Sequence, residues 1–139
     1  MITSAKLLLR ISIKGLLFGI WFGVAAFLVH FVGLRSCLEC SAYAGLTYGV
    51  LGFFFAVALT VWLLSARRGR MALFTNRVRR PSSSRVAGIA GVWGAIYLLV
   101  ALAAQLSPPA ALRAALLEFG FIFVSAKLLV LLYRAELGW

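Results

Sequence analysis

Four long stretches of this chain are nearly free of charge, and that decides its solvent. Gly15 to Leu34, Ser41 to Ser65 and Val86 to Leu106 contain no Asp, Glu, Lys or Arg, while Ala110 to Tyr133 contains only Arg113, Glu118 and Lys127. As helices rising 1.5 Å per residue, all four are long enough to cross a hydrocarbon core of about 30 Å. The expected fold is therefore all-α: an integral membrane bundle of four transmembrane helices, arranged as two helical hairpins. The spans fall at about 15–34, 41–65, 86–106 and 110–133, in a single membrane domain over residues 1–139. Bulk composition agrees, since 64% of residues are hydrophobic and 12% are charged, against about 25% charged in ordinary soluble domains.

The charges that remain set the orientation. Residues 66–85 hold seven arginines, Arg67, Arg68, Arg70, Arg77, Arg79, Arg80 and Arg85, and Lys6, Arg10 and Lys14 precede the first span. The connection 35–40 carries one Arg and one Glu, and the turn 107–109 carries no charge. Cytoplasmic loops are enriched in Lys and Arg, so both termini and the 66–85 loop are expected inside. Lys6, Arg10 and Lys14 recur every fourth residue, a spacing that lines one helix face for headgroup contact. Trp62, Tyr133 and Trp139 then fall near the inner interface and Tyr43 near the outer. The first apolar run is longer than a usual signal core and further spans follow it, so it reads as a span. The expected location is a bacterial inner (plasma) membrane.

A net charge of +11 would suit nucleic acid. The basic residues sit at span ends, however, where they orient the chain and meet anionic lipid. Nucleic acid is not an expected partner. Pro81 and Ser82 to Ser84 are expected to keep the basic loop non-helical, and Ser107-Pro108-Pro109 to form an extended tight turn.

Helices in lipid associate through close packing and hydrogen bonds. Small residues recur at spacing four in three spans: Gly15, Gly19 and Gly23; Ser41, Gly45 and Gly49; Ala87, Gly91 and Ala95. Each stripe is a candidate packing face.

Polar groups at depth are few. Glu118 is an acid inside a span, which is costly and points to function or specific pairing. Ser125 shares its face. His30, the sole histidine, lies seven residues after Gly23 and at similar depth. His30 and Glu118 form a candidate membrane-embedded polar pair, expected to satisfy each other or a backbone carbonyl, with Arg35 or Arg113 as other partners for the carboxylate. Lys127, nine residues beyond Glu118, falls on roughly the opposite face and reads as an interfacial anchor.

Cys37 and Cys40 form a C-x-x-C just before the second span. They could remain structural or idle thiols or, in an oxidising compartment, form a disulfide staple or serve in redox chemistry. The arrangement resembles the quinone-coupled disulfide-generating membrane proteins, which are four-helix bundles with this motif at this place. That resemblance covers about ten residues. It implies a second cysteine pair in the other outer loop, which here is Ser107-Pro108-Pro109; the chain has two cysteines in all. Two cysteines and one intramembrane histidine do not complete a zinc site. With three acidic residues, Glu39, Glu118 and Glu136, paired-carboxylate hydrolysis has little to draw on, and no phosphate loop or nucleophile elbow is present. No motif names a cofactor.

Small size, scant extramembrane sequence and the packing stripes point first to a non-catalytic accessory or assembly subunit of a larger membrane complex. Its partners would be other membrane subunits or copies of itself, with anionic headgroups at the arginine loop. A second reading is a small oligomeric transporter or channel with Glu118 as coupling site. A third is a membrane thiol–disulfide protein using Cys37 and Cys40.

Overall fold

The computed structural model describes residues 2–33, 35–68 and 81–137. It is all-helical, and each of its four long helices is long and apolar enough to cross a membrane. In order they are α1 (Ile2–Leu28, continued by a π-helical turn Val29–Gly33), α2 (Leu38–Arg68), α3 (Ser83–Ala103) and α4 (Pro108–Leu137).

The helix ends follow local chemistry more closely than the charge-free windows did. α3 starts at Ser83, because Ser82 is its N-cap and its Oγ accepts the amide N–H of Arg85 at 3.3 Å. The serines expected to interrupt helix thus begin one. Pro108 and Pro109 open α4 instead of extending the turn before it, and the first helical bond runs from Ala111 N–H to the Ser107 carbonyl at 2.9 Å. A first helical turn has no use for its amide hydrogens, so prolines there forfeit nothing. α3 ends in a turn that reverses through Gln105 at φ 64°, with Leu106 N–H reaching back to the Ala101 carbonyl at 3.1 Å. This is the Schellman closure, with glutamine in the left-handed place that glycine usually takes.

α1 and α2 cross antiparallel along the predicted glycines. A Cβ built on Gly19 would lie 2.9 Å from the Gly49 carbonyl oxygen, and one on Gly23 would lie 2.8 Å from that of Gly45. At Gly15 it would meet Val57 at 2.6 Å and the Tyr133 hydroxyl at 3.2 Å. Beside this seam lies an apolar groove of about 580 Å³, and no residue of α3 or α4 lines it.

α4 is the central element. It packs on α1, α2 and α3, whereas α3 packs on α4 alone. The core around Ile11, Phe18, Ala56, Leu63, Tyr133 and Leu137 joins α1, α2 and α4 at the end holding both termini. Tyr133 is 1% exposed and its hydroxyl donates to the Ile11 carbonyl at 2.8 Å. It is a core clamp and not the interfacial anchor expected; Tyr43, 77% exposed, keeps the character of one. Trp139 lies outside the described residues.

The third small-residue stripe is displaced by a residue. The buried face of α3 is Val86, Ala90, Gly94 and Ala101. A Cβ on Gly94 would stand 3.2 Å from the Ala115 carbonyl oxygen, whereas one on Gly91 would meet only Phe119, at 3.9 Å. Gly91→Ala is expected to be neutral or stabilising by up to about 1 kcal/mol through helix propensity. Gly94→Leu should cost about 1–3 kcal/mol through overpacking. Denaturant titration of the two variants in one detergent reads the difference, and equal stabilities would refute this packing.

Candidate functional site

Glu118 occupies the buried face of α4 with Ala111, Ala114, Ala115, Phe121 and Ser125. Its exposure is 0%. The indole Nε1–H of Trp93, on α3, donates to Oε2 at 3.0 Å. Oε1 has no hydrogen-bond partner among the described residues. An acid that is fully buried and half satisfied is expensive to keep, because each unmade hydrogen bond to it forfeits solvation that lipid cannot return.

Of the arrangements expected for His30, the structure contains the bond to a backbone carbonyl and not one to Glu118. His30 sits in the π-helical turn, and its Nδ1 donates to the Ala26 carbonyl at 2.8 Å. No ion pair joins it to Glu118; the ion pair among the described residues is Lys14–Glu136. The Tyr48 ring lies 5.9 Å from the His30 ring and 5.9 Å from Phe121, which also stacks on Phe22 at 4.7 Å. Arg113 is exposed and does not bridge to Glu118.

The carboxyl therefore has an indole on α3 as its donor, and Phe121, three residues along the same buried face of α4, belongs to an aromatic cluster with Phe22, Tyr48 and His30. Trp93 and Tyr48 were not singled out from sequence as neighbours of this face. Ser125, expected on the Glu118 face, is buried there, but its Oγ accepts Trp21 Nε1–H at 3.3 Å. Lys127 donates to Ser83 Oγ at 2.6 Å and pins the first turn of α3 to α4.

Lys14, expected at headgroups with Lys6 and Arg10, instead donates to both oxygens of Glu136 at 2.6 and 2.8 Å. The pair ties the start of α1 to the end of α4, with side-chain exposures of 28% and 5%. Lys14→Ala strands a nearly buried carboxylate and is expected to cost about 1–3 kcal/mol. That is less than the 3–5 kcal/mol typical of breaking a wholly buried pair, since Lys14 is partly open. Glu136→Gln, which keeps an acceptor, should cost less. Thermal unfolding of both variants in detergent checks the order.

Cys37 and Cys40 are joined in a disulfide, and both are exposed. Cys37 is the N-cap of α2: its carbonyl accepts Ser41 N–H at 2.8 Å and its Sγ accepts Cys40 N–H at 2.9 Å. The bridge closes the helix's first turn. Of the arginines in the basic loop, Arg85 is exposed on α3. Arg67 and Arg68 belong to the last turn of α2; Arg70, Arg77, Arg79 and Arg80 lie outside the described residues. No cluster of three or more His, Cys, Asp or Glu that could hold a metal occurs among the described residues.

Comparison with known proteins returns nothing: no protein-family profile, no curated protein and no solved structure matches the chain.

Proposed function

We propose that this chain is a small membrane transporter or channel unit in which Glu118 binds and releases a proton. One observation carries the reading: a fully buried carboxyl with one oxygen bonded to an indole and the other to none of the described residues. A buried polar atom without a partner asks for an explanation, and an acid at membrane depth marks function or a specific pairing by default. In this reading the protein lies in a bacterial inner membrane as two helical hairpins, with its termini and arginine loop inside and Cys37 outside. The enrichment of arginine in residues 66–85 and the positive-inside bias support that orientation.

The test is proton flux in liposomes carrying the purified protein, followed with an internal pH dye. Wild type should conduct or couple protons, and Glu118→Gln should not. Equal flux in both would discard the reading, as would loss of flux that merely tracks loss of folded protein.

A second reading is an accessory or assembly subunit of a larger membrane complex. It is favoured by the packing of α3 on α4 alone, which leaves most of α3 for a neighbour. Gentle solubilisation and native mass measurement separate the two. A homo-oligomer supports transport, and fixed heterologous partners support the subunit.

A further inference from the structure

We propose that the groove between α1 and α2 holds one acyl chain of an anionic glycerophospholipid whose phosphate rests on Arg10 and Lys6. The groove is apolar throughout: the seam glycines Gly19, Gly23, Gly45 and Gly49 line it together with exposed aliphatic side chains such as Ile20 and Val50. On α1 the lining runs from Leu16 to Phe27, a length of about 17 Å at 1.5 Å per residue. A volume of about 580 Å³ over that length leaves a channel about 7 Å wide, short of the 10–12 Å diameter of a helix with its side chains. A linear alkyl chain fits that shape, and a helix from a second copy does not. No residue of α4 lines the groove, so the site is independent of Glu118.

Charge selects the headgroup. Lys6 precedes Ile20 by fourteen residues, and Arg10 precedes Val24 by fourteen. Fourteen residues turn about 1,400°, within about 40° of four whole turns, so both cations stand on the groove's side of α1. Leu9 and Ile13, exposed on the same side, carry apolar surface from the groove to them. Arg10 is about 9 Å beyond Leu16, which closes the lining at that end. Lys6 and Arg10 are exposed, and neither enters an ion pair among the described residues; Lys14, the next cation, is bound to Glu136. On α2, Arg68 follows Val50 by eighteen residues, which is five whole turns, so the last turn of that helix adds charge at the same end.

The opposite end of the groove, at Phe27 and Ala42, is followed by Arg35 and Glu39, one charge of each sign. The groove is thus an apolar slot with a cationic mouth at the end holding the termini. A second copy in the same orientation would set its own Lys6 and Arg10 against these. An anionic lipid neutralises them, because basic residues at a membrane surface attract anionic headgroups, while its chain covers the apolar walls.

The experiment supplies the full chain, in mild detergent, with equal amounts of palmitoyl-oleoyl phosphatidylglycerol and phosphatidylcholine and weighs the intact complexes. One phosphatidylglycerol per chain is expected, preferred over phosphatidylcholine by about 10-fold, the order that two basic residues give at an anionic surface. Lys6→Gln combined with Arg10→Gln should remove the preference. Val50→Trp, which fills the groove from an exposed position, should release both lipids. All three side chains are exposed, so the variants should keep wild-type helix content by circular dichroism. A phosphatidylglycerol with a diazirine midway along its acyl chain gives a readout that needs no variant: it should label residues 16–27 and 42–54 of the wild type. Equal retention of the two lipids, a preference that survives loss of both cations, or retention unchanged in Val50→Trp would overturn the proposal. So would labels concentrated on α3 and α4, or a lipid-free dimer whose contacts lie in the groove, since the second copy is then the occupant.

Discussion

A leucine at Gly23 is expected to drive α1 and α2 apart. The first carbon of any side chain there would stand 2.8 Å from the Gly45 carbonyl oxygen and 3.1 Å from the Gly49 Cα. Both are backbone atoms, so no rotamer change relieves the clash and one helix has to move. Movement then loosens the neighbouring contact, where Gly19 faces the Gly49 carbonyl. In water, hydrophobic burial could compensate a displaced helix; in lipid the solvent is as apolar as the side chains, and close packing is what holds the pair. Overpacking typically costs about 1–3 kcal/mol, and here the upper end is expected, because alanine's usual gain of about 1 kcal/mol over glycine in a helix is unavailable to so crowded a site. Energy transfer between labels on α1 and α2, with unfolding in graded detergent, measures both separation and stability. Gly91→Leu is the matched control and should leave both unchanged. A Gly23→Leu protein as stable and as tightly crossed as wild type would refute the backbone-to-backbone seam.

Glu118 should separate stability from activity. Glutamine there keeps a carbonyl oxygen for the Trp93 indole and removes the charge, so stability is expected to stay within about 1 kcal/mol of wild type, the net worth of an ordinary hydrogen bond. Leucine removes a half-satisfied acid from an apolar site and leaves only the indole unpaired; replacing buried ionic groups by apolar ones is often neutral or stabilising. Both variants should nevertheless lose proton flux entirely. Trp93→Phe acts in the opposite direction: it leaves the carboxyl with neither partner and should destabilise by about 1–3 kcal/mol. Denaturation in detergent and flux in liposomes, run on one preparation, give the two readouts. If Glu118→Gln keeps its flux and loses its fold, the residue is a structural acid.

What could be read from the residues in order is what depends on local chemistry alone. Charge-free runs about twenty residues long become helices able to cross a membrane, because an apolar solvent leaves the backbone few other ways to satisfy itself. Glycines every fourth residue in α1 and α2 became the helix seam, since spacing four stacks them on one face. The same rule misphased α3. That span is apolar all round, so no polar side exists to say which way it turns, and the contact with α4 chose Ala90 and Gly94 over Gly91. Likewise the cost of an acid at Glu118 was legible, but its partner was not. Depth and the glycine stripe matched His30 to it, while in the structure that ring bonds to Ala26 and the antiparallel approach of α3 delivered Trp93.

The amino-acid order by itself determined that the chain is helical and suited to lipid, and that very few groups in its spans can ionise. The tertiary structure alone decided which of those groups meet: Lys14 with Glu136, Trp93 with Glu118, Tyr133 with the backbone of Ile11. The reason is physical. Hydropathy is a property each residue carries with it, whereas a hydrogen bond between helices depends on the rotation and depth at which two apolar cylinders settle, and packing alone sets those.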